Sequence, residues 1–108
     1  MSKSGFDVIS PRDAYAAYIM GSTLVDVRTT KEIESKAINL KNLKNIPFEE
    51  LENRVSEIPA NRQVIFFSRV GVKGKEAAKI LAKQGFEQVA MVDGGVTAWE
   101  EFGLPVKA

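Results

Sequence analysis

Val64-Ile-Phe-Phe67, then Ser68-Arg-Val-Gly-Val-Lys-Gly74, then Lys75-Glu-Ala-Ala-Lys-Ile-Leu-Ala-Lys-Gln84 is the stretch whose reading decides the fold. Four consecutive apolar residues, two aromatic and two β-branched, predict a strand buried on both faces. From Gly74 onward Ala77, Ala78, Ile80, Leu81 and Ala82 recur at helical spacing, while Lys75, Lys79 and Lys83 face water. Gly85 is the helix stop. The intervening loop ends at a helix N-terminus, where backbone N–H groups lack partners, and Gly71 and Gly74 permit turns that aim them inward. Arg69, Lys73 and Lys75 crowd this end, offset only by Glu76. Cations there oppose the helix dipole at a cost of roughly a few tenths of a kcal/mol each. An anion among them turns that cost into attraction; the plainer alternative is a set of solvated lysines on an exposed turn. Arg69, Val70, Gly71, Val72, Lys73 and Gly74 are therefore the candidate anion-binding loop, with Ser68 at its base.

Outward from this unit the chain alternates strands and helices. Phe6–Ile9 is predicted as a short strand, and Ser10-Pro11-Arg12-Asp13 as a helix start with Ser as N-cap and Pro at the first position. That helix carries Ala14, Tyr15, Tyr18 and Ile19 and stops at Gly21. Thr23–Val27 is a second buried strand, and Thr29 or Thr30 caps a short helix through Ser35. Ala37–Leu40 is a candidate third strand; residues 41–46 are polar and are expected as a loop. Pro47 opens a further helix with Phe48, Leu51, Val55 and Ile58 along one side and Glu49, Glu50 and Glu52 in its first turns. Gln88–Val92 is another strand, Asp93-Gly94-Gly95 a turn, and Val96–Phe102 a short helix whose Trp99 and Phe102 belong to the core. This order predicts right-handed crossovers and a parallel sheet covered by helices on both faces. Ligands of such sheets bind beyond the carboxyl ends of the strands. Asp26, Arg28, Asp93, Gly94 and Gly95 are accordingly expected at the pocket rim.

Composition narrows the chemistry. The 108 residues make one domain, with 44% hydrophobic and 27% charged residues and a net charge of +1. Such a charge creates no global field for nucleic acid or an acidic membrane. No apolar run approaches the ~18 residues of a membrane span, and Met1–Phe6 has no signal-peptide pattern, so a cytoplasmic location is expected. Cys and His are both absent. This excludes disulfides, thiolate nucleophiles, imidazole bases and the usual zinc sites, and neither a metal nor a cofactor is expected.

Other motifs fit poorly. The loop has the wrong spacing for a nucleotide-binding P-loop and only one glycine pair for a dinucleotide fingerprint. Ser68 sits between a strand and a helix like a nucleophile elbow, yet Phe66 and Val70 occupy the glycine positions and no His can take its proton; a Ser68–Lys73 pair is the remaining nucleophilic option. Asp26 and Asp93 as an acid/base pair compete with the simpler reading, in which Asp26 caps a turn or pairs with Arg28. An ion pair between Arg28 and Glu32 is a further structural expectation.

Taken together these residues resemble a rhodanese-like, sulfurtransferase-type domain over nearly the whole span 1–108. Ile9-Ser10-Pro11, Leu24-Val25-Asp26-Val27-Arg28, Ile46-Pro47, Val64–Gly71 and Asp93-Gly94-Gly95-Val96-Thr97-Ala98-Trp99 carry the resemblance, closed by Gly103-Leu104-Pro105-Val106. It implies a roughly five-stranded parallel sheet and, in active members, a loop cysteine that carries sulfur as a persulfide. Here Ser68 stands at the cysteine position, Lys73 replaces an arginine, Gly74 replaces a Ser or Thr, and the 36–45 segment departs from the usual run. Persulfide formation needs a thiolate, and an unactivated serine hydroxyl stays protonated at neutral pH. The six-residue loop 68–73 has the length of the family's sulfurtransferases rather than of the related phosphatases. The expectation is a catalytically silent, anion-accepting binding or regulatory module, with a small sulfur-containing or oxo-anion, or a protein, as partner. Two alternatives stay open: an active sulfurtransferase in which cysteine has become Ser68, and a structural interaction domain that ignores the loop.

Overall fold

The computed structural model describes residues 5–107. The leader expectation for Met1–Phe6 therefore lies mostly outside the described residues, as do both ends of the 1–108 span. Strands β1 (Asp7–Ile9), β2 (Thr23–Asp26), β4 (Lys44–Asn45), β5 (Val64–Phe67) and β6 (Val89–Val92) form one sheet in the order β1-β6-β5-β2-β4. Every pairing in it is parallel. Helices α1 (Pro11–Ile19), α2 (Thr30–Ser35), α3 (Val72–Lys83) and α4 (Gly95–Glu101) connect or flank the strands. A separate ribbon pairs β3 (Ala37–Ile38) antiparallel with β7 (Val106–Lys107).

Strand alternation divides the core. Val64 and Phe66 of β5 pack with Val25, Val27, Ala77, Ala78, Leu81 and Met91 on the α3 face. Ile65 and Phe67 pack with Ala14, Leu24, Val92, Val96 and Trp99 on the α1–α4 face. Trp99 is fully buried, meets Phe67 edge-on with ring centres 5.0 Å apart, and donates from Nε1 to the Pro105 carbonyl at 2.9 Å. The polar end of the indole is thus satisfied without leaving the core.

Several local expectations change. The 41–46 loop contains β4, whose residues pair with Val25 and Asp26; this polar pair, rather than Ala37–Leu40, completes the sheet. No α-helix opens at Pro47. Two 3₁₀ segments, Phe48–Asn53 and Val55–Glu57, replace it. Phe48 and Leu51 are three apart, a spacing that serves a three-residue turn as well as an α-turn. Arg54 interrupts the run with non-helical backbone angles, φ −123° and ψ 15°, and ties both pieces together through Glu50 and Glu57. Hydrogen bonds from Arg54 hold the Glu57 carboxyl below the usual carboxylate range. Phe102 is exposed, not core, because α4 ends there and turns it outward. Thr29, not Thr30, caps α2, in a reciprocal capping box with Glu32. Glu32 is therefore engaged with Thr29, and the expected Arg28–Glu32 ion pair is absent among the described residues. Gly71 in the left-handed region caps α3, which begins at Val72 rather than Gly74.

Candidate functional site

The site lies beyond the carboxyl ends of β2 and β5. Asp26 is fully buried and receives the Arg28 side chain along one edge: Nε lies 3.0 and 3.2 Å from the two carboxylate oxygens and Nη2 2.8 Å from Oδ2. The Arg28 backbone N–H also donates to Oδ1, and Asn45 Nδ2 donates to the Asp26 and Arg28 carbonyls. Such a bidentate arrangement satisfies a desolvated charge pair. It also leaves Arg28 Nη1 without a protein partner among the described residues, beside the cavity that Arg28 lines.

Ser68 is 3% exposed at the end of β5. Its Oγ accepts from the N–H groups of Gly71 and Gly74, each at 3.0 Å. Gly74 makes this close approach feasible, since a Cβ there would lie 3.2 Å from Oγ. Two of the expected cradle donors are thereby directed at Ser68. The N–H groups of Arg69, Val70, Val72 and Lys73 have no internal acceptor among the described residues. These four are backbone donors without a partner in the fold, as at any helix N-terminus.

The loop is fixed from outside by α4. Val96 N–H donates to the Ser68 carbonyl at 2.8 Å, and Thr97 donates to the Arg69 carbonyl at 3.1 Å from both its N–H and its Oγ1. Gly95, at φ +60°, makes room for this contact: a Cβ would meet the Ser68 oxygen at 2.2 Å. Gly94 and Gly95 therefore support the loop from behind. Asp93 is exposed and lies apart from the cavity lining.

A cavity of about 300 Å³ is lined by Val27, Arg28, Glu32, Ser68, Arg69, Val70, Val72 and Lys73. Arg69 is exposed and has no ion-pair partner among the described residues. Lys73 is less free, with Nζ 4.5 Å from the Phe48 ring centre in a cation–π contact. Val27 lies at the sheet edge expected to gather around the ligand, whereas sequence reasoning missed Glu32 as a lining residue and this Phe48 contact. Phe48 and Lys73 are brought together only by the packing of the 3₁₀ segment on α3, and no local signal announces it. Among the described residues no group of acidic side chains could hold a metal ion. No described helix is long and apolar enough to cross a membrane.

The family model of the rhodanese-like domain matches residues 10–102. The chain belongs to the rhodanese-like domain family. A sulfurtransferase of Allochromatium vinosum is 36% identical over 85 residues, covering 79% of this chain and 78% of the relative. The thiosulfate sulfurtransferase GlpE of Actinobacillus pleuropneumoniae is 31% identical over 107 residues, 94% of each chain. The solution structure of the polysulfide-sulfur transferase homodimer of Wolinella succinogenes is 28% identical, with a TM-score of 0.84 over 97% of this chain and 80% of its own. In the setting of this family, position 68 of the rhodanese-like loop bears an alcohol, and the chain contains no thiol at all.

Proposed function

We propose that this rhodanese-like domain does not transfer sulfur as written and serves as an anion-binding or regulatory module through the loop after β5. The observation that carries the reading is the chemistry of position 68: it bears a hydroxyl, in a chain with no thiol to take its place. An alcohol becomes a nucleophile only when a base removes its proton. The chain has no His, and the candidate base Lys73 is directed at Phe48. Anion capture needs neither thiol nor base. Four free N–H groups, Arg69, Lys73 and the outer edge of Arg28 supply it.

Relatives named as sulfurtransferases make thiosulfate the first anion to try, followed by sulfate and phosphate. The near-neutral net charge favours a small anion or a protein partner over nucleic acid or a membrane surface. A cytoplasmic setting completes the proposal. The preserved cradle supports a second reading, in which the same loop transfers sulfur once cysteine occupies position 68; backbone donors aimed at Oγ would equally stabilise a thiolate.

Thiosulfate-to-cyanide sulfur transfer by the parent and by Ser68→Cys tests both. The parent is expected to be inactive, and activity in it would overturn the proposal. An active Ser68→Cys variant would favour the second reading. An inactive one would mean that Lys73, Gly74 and the 36–45 segment have also left sulfur chemistry behind.

A further inference from the structure

The cleft continues past the anion loop. A second cavity of about 360 Å³ is lined by Arg28, Glu32, Ser35, Lys36, Arg69, Val96, Thr97 and Glu100. It shares Arg28, Glu32 and Arg69 with the first, so the two form adjoining lobes on either side of the arginines. Each lobe alone approaches the size of a small-molecule site. A bare tetrahedral oxyanion would leave the second lobe empty.

The first lobe has a donor set that selects its occupant. Ser68 Oγ accepts two N–H groups, and its own hydrogen has no acceptor among the described residues. This hydroxyl is buried and lines the cavity, as does Arg28, whose Nη1 is likewise unpartnered. Both offer hydrogens to an oxygen-rich head. The second lobe differs in kind: Lys36 Nζ lies 2.6 Å from both Glu100 carboxylate oxygens, joining α4 to the end of α2 across 64 residues of sequence. Both side chains are over 40% exposed. An exposed pair of this kind opens at little cost. A ligand carrying its own carboxylate and ammonium can exchange partners with it and keep every charge satisfied.

Resting on the anion-accepting reading of the loop, we infer that the cleft takes a phosphate or sulfate monoester of an amino-acid-like molecule. The oxyanion head sits among Ser68 Oγ–H, Arg28 Nη1 and the free loop N–H groups. The zwitterionic body crosses Arg69 and meets Lys36 and Glu100.

Amide-shift titrations of the full chain at fixed ionic strength test this with four probes: inorganic phosphate, inorganic sulfate, O-phosphoserine and O-sulfoserine. The matching ester should bind about tenfold more tightly than its inorganic anion, the gain of one charge-assisted contact. Its shifts should extend from Arg69–Lys73 to Ser35, Lys36, Thr97 and Glu100. The phosphate and sulfate arms identify the head. Lys36→Gln and Glu100→Gln, both at exposed positions, should abolish the ester's advantage and leave the inorganic anion's affinity unchanged. Esters no tighter than inorganic anions, or an advantage that survives both substitutions, would overturn the inference while the anion-accepting loop stands. Loop amides unmoved by every probe would overturn that reading and this inference together.

Discussion

Gly95→Ala is the substitution that most sharply tests how the loop is held. The added Cβ would lie 2.2 Å from the Ser68 carbonyl oxygen and 2.9 Å from the Arg69 carbonyl carbon and oxygen. All three are backbone atoms, so no flexible side chain can yield. The residue would also be held at φ +60°, which costs a non-glycine residue roughly 1–3 kcal/mol. Overpacking adds about 1–3 kcal/mol. Moving α4 away to relieve the clash sacrifices the bonds from Val96 and Thr97 to the loop carbonyls, at about 1 kcal/mol apiece. Because clash relief and bond loss are alternatives, the expected destabilisation is about 2–6 kcal/mol, a large share of a typical domain's ~5–15 kcal/mol. Gly103→Ala is the control. It sits at φ +77° with nothing within 4 Å of its notional Cβ, and only the backbone term applies. Urea unfolding of both variants beside the parent gives the comparison. Gly95→Ala within ~1 kcal/mol of Gly103→Ala would refute the claim that close backbone contact anchors the loop.

Other consequences follow from the same contacts. Arg28→Met leaves the fully buried Asp26 carboxylate without its partner and should destabilise the fold by about 3–5 kcal/mol, with adding Asp26→Asn recovering part of the loss in urea unfolding; a single mutant as stable as the parent would contradict the pair's role. Trp99→Ala should cost about 3–5 kcal/mol by the same measurement, since the indole is wholly buried between Phe67 and Tyr15 and bonded to Pro105. The Glu57 carboxyl is held low by Arg54, so its stabilising effect is present above its unfolded-state pKa and lost as pH falls through its lower folded-state value. The unfolding midpoints of parent and Glu57→Gln should therefore differ slightly at neutral pH and converge in acid; a gap that widens in acid would reverse the assigned sign.

Much of the architecture is legible because burial writes itself into local pattern. Val64–Phe67 and Val89–Val92 are apolar runs that only a doubly covered sheet can bury, Leu24-Val25 forms the apolar centre of β2, and α3 declares itself through alanines against lysines. Lys44–Asn45 escapes notice because an edge strand of two half-buried polar residues has no apolar period; its pairing with β2 and the Asn45 amide place it. The segment after Pro47 misleads because Leu51 and Ile58 are buried in either helical form. At the site, the loop 68–74 and Arg28 stand out through charge, glycine and topology. The direction of the Ser68 acceptor, the Lys73–Phe48 contact and the Lys36–Glu100 bridge arise from residues distant in sequence, and only the folded chain brings them together.

The most direct test of the central claim is a thiosulfate titration of the labelled parent chain, with thiocyanate production followed in the same sample after cyanide is added. The account predicts salt-sensitive shifts at the amides of Arg69, Val70, Val72 and Lys73, with no thiocyanate formed. Unmoved loop amides, or turnover by the serine-bearing parent, would contradict it.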